Sequence, residues 1–133
     1  MKIAGYNGER LDKRAIAKEK EAVLAGQTTV YDMTLNDTAI KVWQWFDKHN
    51  LHDPVMQMVK VQEEVGELAH EISRAHYDTP EVVDALGDTL VTIIGMCHHL
   101  NIEPGYALFT AYNEIKDRKG KVIDGSFVKE EHE

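Results

Sequence analysis

Apolar residues recur at three- and four-residue intervals through most of the chain, the period of an amphipathic helix. In the segment from Pro54 to His76, Met58, Val61, Val65, Leu68 and Ile72 fall on one face when successive residues are turned by about 100°. In the next segment Leu86, Leu90, Ile93, Ile94, Cys97 and Leu100 make a broad apolar arc. Both faces are the expected core. No alternating pattern of useful length suggests a strand.

The breaks in the pattern divide it into elements. Asp53-Pro54 and Thr79-Pro80 each read as an N-cap followed by proline at the first helical position, and Glu103-Pro104 opens a further helix less clearly. Helices are predicted over residues 36–50, 54–76, 80–100 and 104–118, with another over 10–25 that ends at Gly26. Short connections make neighbouring helices antiparallel. The expected architecture is therefore all-α, a bundle-like domain over 31–133 preceded by a helical arm over 1–30. After Gly120 the helical pattern dissolves into an extended tail, KVIDGSFVKEEHE.

The polar positions are less ordinary. Glu64, Glu67 and Glu71 form one stripe with Lys60, and Glu63 lies just beyond it. Carboxylates three or four residues apart repel on an isolated helix, by roughly a few tenths of a kcal/mol per pair. A solvated charged face would account for the stripe alone. The next helix repeats it: Asp84 and Asp88 stand one turn apart, in line with Thr92, Gly95 and His99, amid valines and isoleucines. Aspartate is a weak helix former, and carboxylates near apolar neighbours need partners. No base lies nearby in that helix. Antiparallel packing would turn Glu64 and Glu67 towards Asp84 and Asp88, an all-oxygen set suited to Mg2+, or Mn2+ in its place. Glu67-x-x-His70 also fits one half of a di-iron carboxylate bundle, but a second copy of that spacing is missing. His70 reads as a surface histidine.

Composition narrows the classes. The chain has 133 residues, 43% hydrophobic and 29% charged, with a formal net charge of -8. Such a balance suits one soluble domain and disfavours nucleic-acid backbones as partners. The lone Cys97 leaves no intrachain disulfide and reads as a small buried hydrophobe. No apolar run reaches the ~18 residues of a membrane span, and the N-terminus lacks the apolar region of a signal peptide, so a cytoplasmic location is expected. Neither a phosphate-binding Gly-x-x-x-x-Gly-Lys-Ser/Thr loop nor a Ser-His-Asp arrangement is present.

The runs KVQEEVGELAHEI (Lys60 to Ile72), DALGDTLVTI (Asp84 to Ile93) and AYNEIKDRKGKVIDGSFVKE (Ala111 to Glu130) resemble, in this order, the MazG-like nucleoside triphosphate pyrophosphohydrolases. With Trp45 and Gln57 the resemblance spans about residues 38–130. It implies an all-α, four-helix bundle-like fold, a dimer or tetramer, and magnesium-dependent hydrolysis of a nucleoside triphosphate to monophosphate and pyrophosphate, with deoxynucleotides as the favoured class. Glu64, Glu67 and Asp88 would be metal ligands. Family members often carry glutamate where this chain has Ala85, and Asp84 is the substitute the resemblance suggests. Glu63 would position water. Trp45 would wall the base, and Lys60, Asn113, Lys116, Arg118 and Lys119 would contact phosphate, with Gly120 and Gly125 letting the tail fold over the site. Lys60 could equally pair with Glu64, Trp45 could equally be core, and the basic cluster could equally be a solvated helix end. A non-catalytic nucleotide- or partner-binding module would use the same acidic face.

Overall fold

The computed structural model describes residues 33–75 and 77–131, so the expected arm over 1–30 and its helix lie outside the described residues. Four helices appear among the described residues: α1 (Leu35–Lys48), α2 (Pro54–Ser73), α3 (Pro80–Leu100) and α4 (Pro104–Ile115). Each start is chemically marked. Thr34 and Asp37 form a reciprocal capping box on α1. Asp53 accepts from the backbone N–H of Val55 and Met56, and Thr79 from that of Val82. Glu103 takes the same part on α4, accepting from Gly105 and Tyr106. Asn101 ends α3 in the left-handed region, φ 54°, which asparagine tolerates better than most residues.

The chain divides into two compact units, one ending at Asn101 and the other beginning at Ile102. In the first, α2 packs along α3 and α1 packs on α3. Among its described residues, Phe46, Val61, Val82 and Ala85 are buried, together with Gln57, Thr92 and His98. This corrects the expected core face. Of the α2 row only Val61 is buried and Leu68 half-buried, whereas Met58, Val65 and Ile72 are exposed. On α3 part of the line expected to be polar turns inward, with Thr92 and Gly95 buried, His99 half-buried and neighbouring His98 buried beside them, while Asp84 and Asp88 stay exposed and Leu86, Leu90, Ile93 and Leu100 face out. Gly95 leaves room for the side chains packed over it: a Cβ there would stand 2.3 Å from Phe46 Cζ. Cys97 is half-buried.

The second unit holds α4 and a hairpin of β1 (Gly120–Ile123) and β2 (Ser126–Lys129), antiparallel, with Gly120 opposite Lys129 and Ile123 opposite Ser126. The tail expected to be merely extended is thus a pair of hydrogen-bonded strands. Asp124 and Gly125 both have positive φ, 49° and 78°, the requirement of a two-residue type I′ turn. No residue of α4 is buried. No described helix is long and apolar enough to cross a membrane.

Candidate active site

The active-site candidate is built from one inter-helix bond outward. The amide Nε2–H of Gln57 donates to the carbonyl O of Thr92 at 3.0 Å, with Gln57, Thr92 and the bond buried between α2 and α3. Seven residues on along α2 stands Glu64; seven back along antiparallel α3 stands Ala85. The register therefore sets Glu64 level with Ala85, between Asp84 and Asp88.

A cavity of about 610 Å³ opens there, lined by Glu63, Glu67, Asp84 and Asp88 among others, with Ala85 in its wall. Glu64 sits beside it, half-buried. Its Oε2 is sealed from solvent and has no hydrogen-bond partner. Burial first, then the charges of Glu67, Asp88 and Glu63, hold the Glu64 carboxyl above its ordinary range. An orphaned buried carboxylate oxygen facing further carboxylates is costly without a cation. The donor set is oxygen throughout, and it fits a hard divalent ion. Among the described residues, no three His, Cys, Asp or Glu side chains already converge as a closed ligand set.

Other residues singled out in the sequence lie as follows. Lys60 pairs with Glu63 at 2.7 Å, not with Glu64, and both side chains are more than half exposed. Glu63 and the more distant Glu64 and Glu67 hold the Lys60 ammonium above its ordinary range, Glu63 foremost. Trp45, on α1, is 49% exposed and does not line the cavity; it meets Phe46 edge-on at 5.1 Å and His49 at 4.4 Å. Asn113, Lys116, Arg118 and Lys119 belong to the second unit and are exposed. There Arg118 and Lys119 share a separate hollow of about 720 Å³ with Glu114, Asp117, Lys129 and Glu130.

Glu81, Glu71, Gly66 and His70 also line the acidic cavity. Glu71 belongs to the acidic stripe already visible in the sequence. Glu81 is signalled by its place in the first turn after Pro80, where a carboxylate meets the positive end of the helix dipole. His70 is exposed, as expected, and is also among the residues that line this cavity.

Neither a family model nor a curated protein matches the chain. Among solved structures, a crystal structure of the Bacillus-conserved MazG protein, a nucleotide pyrophosphohydrolase, is similar to it: TM-score 0.57 and 27% sequence identity, over 65% of this chain and 94% of that one.

Proposed function

We propose that this chain, which is MazG-like in fold, is a nucleotide pyrophosphohydrolase that cleaves a nucleoside triphosphate to its monophosphate and pyrophosphate with the help of magnesium. Deoxynucleoside triphosphates are the substrate class the sequence resemblance favours. The observation that carries the reading is the gathering of carboxylates around the cavity between α2 and α3, with the stranded Oε2 of Glu64 beside it.

Glu64, Glu67, Asp84 and Asp88 would hold the metal. Magnesium bound there supplies charge neutralisation for the triphosphate and activation of water. The chain's own part is positional. Glu63 lines the cavity and is steadied by Lys60, so its carboxylate is held where it can orient an attacking water and accept its proton. Lys60, paired with Glu63, keeps two further N–H donors that a phosphate oxygen could accept from. Trp45 presents an exposed indole for a base to stack on. The resemblance assigns the remaining phosphate contacts to Asn113, Lys116, Arg118 and Lys119.

A second copy of the chain would cover the outward rows Met58–Val65–Ile72 of α2 and Leu86–Leu90–Ile93–Leu100 of α3. These rows are 43–52% exposed on single-chain α-helices that carry their small and polar residues inward. So extensive an apolar surface supports an interface with a second copy, which two-fold symmetry would close with the same patch on both chains.

The test is a panel of ribo- and deoxyribonucleoside triphosphates with magnesium, followed for pyrophosphate. At least one should yield pyrophosphate, and chelation should abolish it. Orthophosphate as sole product would overturn the reaction type, and metal-dependent binding without turnover across the panel would favour the non-catalytic module.

A further inference from the structure

The acidic cavity differs from one end to the other. The antiparallel register that starts at the Gln57–Thr92 bond passes Glu64 and Ala85 and runs on. Thirteen residues along α2 it reaches His70, and thirteen back along α3 it reaches Thr79, the N-cap of that helix. In keeping with that alignment, His70 and Glu81, the latter from the first turn after the cap, both line the cavity. The near end belongs to the aromatic residues of α1. Phe46 packs over Gly95, three residues past Thr92, and Trp45 meets Phe46 edge-on. Along the cleft the order is aromatic rings, then the carboxylates proposed to hold magnesium, then His70.

Charge changes along the same line. Among the described residues no ion pair reaches Glu67, Asp84 or Asp88. At the far end the carboxylates are answered: Arg74 meets Glu71 at 4.0 Å, and Glu81 stands at the positive end of the α3 dipole. Six carboxylates line the cavity together with Gly66, Ala85 and His70, which makes His70 the one lining side chain that carries an N–H. An imidazole keeps at least one N–H whether neutral or charged. Ser73 Oγ–H donates to the backbone carbonyl of His70 at 2.6 Å and leaves its ring alone.

We propose that His70 binds the leaving end of the polyphosphate, donating an N–H to a β- or γ-phosphate oxygen and afterwards to the released pyrophosphate. The inference rests on the pyrophosphohydrolase reading and adds the direction in which the substrate lies, with the base towards α1 and the phosphate chain towards the start of α3. Ionised phosphate oxygens only accept hydrogen bonds, and carboxylates without cations repel them. Where Glu71 and Glu81 are already balanced, an imidazole N–H meets an oxygen without that opposition. The reverse direction would set the base among carboxylates, since no Trp, Tyr or Phe lines the cavity.

The test uses the full chain with magnesium and no triphosphate. Calorimetry follows the binding of pyrophosphate, of a deoxynucleoside monophosphate and of magnesium alone to the parent, His70→Ala and His70→Gln. His70→Ala should weaken pyrophosphate by about tenfold, as expected for one hydrogen bond to an anion, and leave the monophosphate and magnesium unmoved. His70→Gln keeps an N–H and should recover most of the loss. His70 is exposed, so both variants should share the parent's melting temperature. Unchanged pyrophosphate affinity in His70→Ala would overturn the proposal. So would an equal loss for the monophosphate, a matching loss of magnesium affinity, or a parent that binds no pyrophosphate. A parent that binds pyrophosphate through His70 yet releases none from any triphosphate upholds the contact while refuting the reaction, so the two failures are told apart.

Discussion

Gln57 and Thr92 are joined across two helices by a buried amide-to-carbonyl bond of 3.0 Å, and that bond sets which carboxylates face one another. Two turns along α2 it brings Glu64 level with Ala85, and one turn back along α3 it fixes the height of Asp88. Gln57→Leu fills similar volume without the donor. Thr92 O keeps its place in the helix, so the loss of stability should be modest, about 1 kcal/mol in urea unfolding. Magnesium-dependent turnover should fall further than stability does, because register, not folding, is what the bond secures. Turnover that falls only in step with the folded fraction would contradict this.

Gly95 and Gly87 sit on the same helix and should respond in opposite directions to alanine. A Cβ at Gly95 would stand 2.3 Å from Phe46 Cζ and 2.7 Å from Gln57 Nε2. Gly95→Ala should cost about 1–3 kcal/mol by overpacking. At Gly87 nothing lies within 4 Å, and Gly87→Ala should add roughly 0.5–1 kcal/mol through helix propensity. Denaturant midpoints of the two variants measure both.

Glu64 supplies a pH dependence whose sign differs from the usual carboxylate. Its folded-state pKa lies above the ordinary value, so its contribution to stability is fully present below the unfolded pKa and is lost as pH rises through the folded one. Without metal, the protein should therefore weaken on that rise, and Glu64→Gln should remove the weakening. Added magnesium should stabilise the parent and leave Glu64→Gln nearly unmoved, as read by melting temperature. Glu67→Gln and Asp88→Asn should abolish pyrophosphate release.

Asp37 behaves in the opposite sense. The backbone N–H of Thr34, foremost, and its hydroxyl hold the Asp37 carboxyl below the usual range. Its support for α1 is present above the unfolded pKa and is lost as pH falls through the depressed folded value. Amide exchange at the start of α1 should accelerate over that window, and Asp37→Asn should show no such dependence.

The exposed row on α3 gives a test of assembly. Leu90 is 52% exposed. Leu90→Asp should shift the chain to monomer in sedimentation, with loss of stability that dilution of the parent reproduces. A parent that already sediments as a monomer at micromolar concentration would remove the case for a second copy.

Helix starts were plain in the sequence because their chemistry is local: Asp53-Pro54 and Thr79-Pro80 cap the helices they precede. The acidic gathering was legible for the same reason, since helical period alone puts Glu64 and Glu67 on one side and Asp84 and Asp88 on another. The inward face was not. Periodicity finds two faces on α3 but does not say which one meets its own chain, and here Gly95, Thr92 and His98 pack against α1 and α2 while the leucines turn away. The hairpin was missed because each strand has only four residues; Asp124-Gly125 was the available signal. The Asp47–His98 bond links positions 51 residues apart and leaves no local trace.

The outward leucines and isoleucines of α2 and α3 bear on how the polypeptide comes to be folded at all. If identical chains supply each other's missing interior, folding and encounter are one equilibrium, and the melting point climbs with the logarithm of how much protein is present. Newly made copies at low abundance would then be the vulnerable ones, with greasy helices open to proteases until a twin arrives.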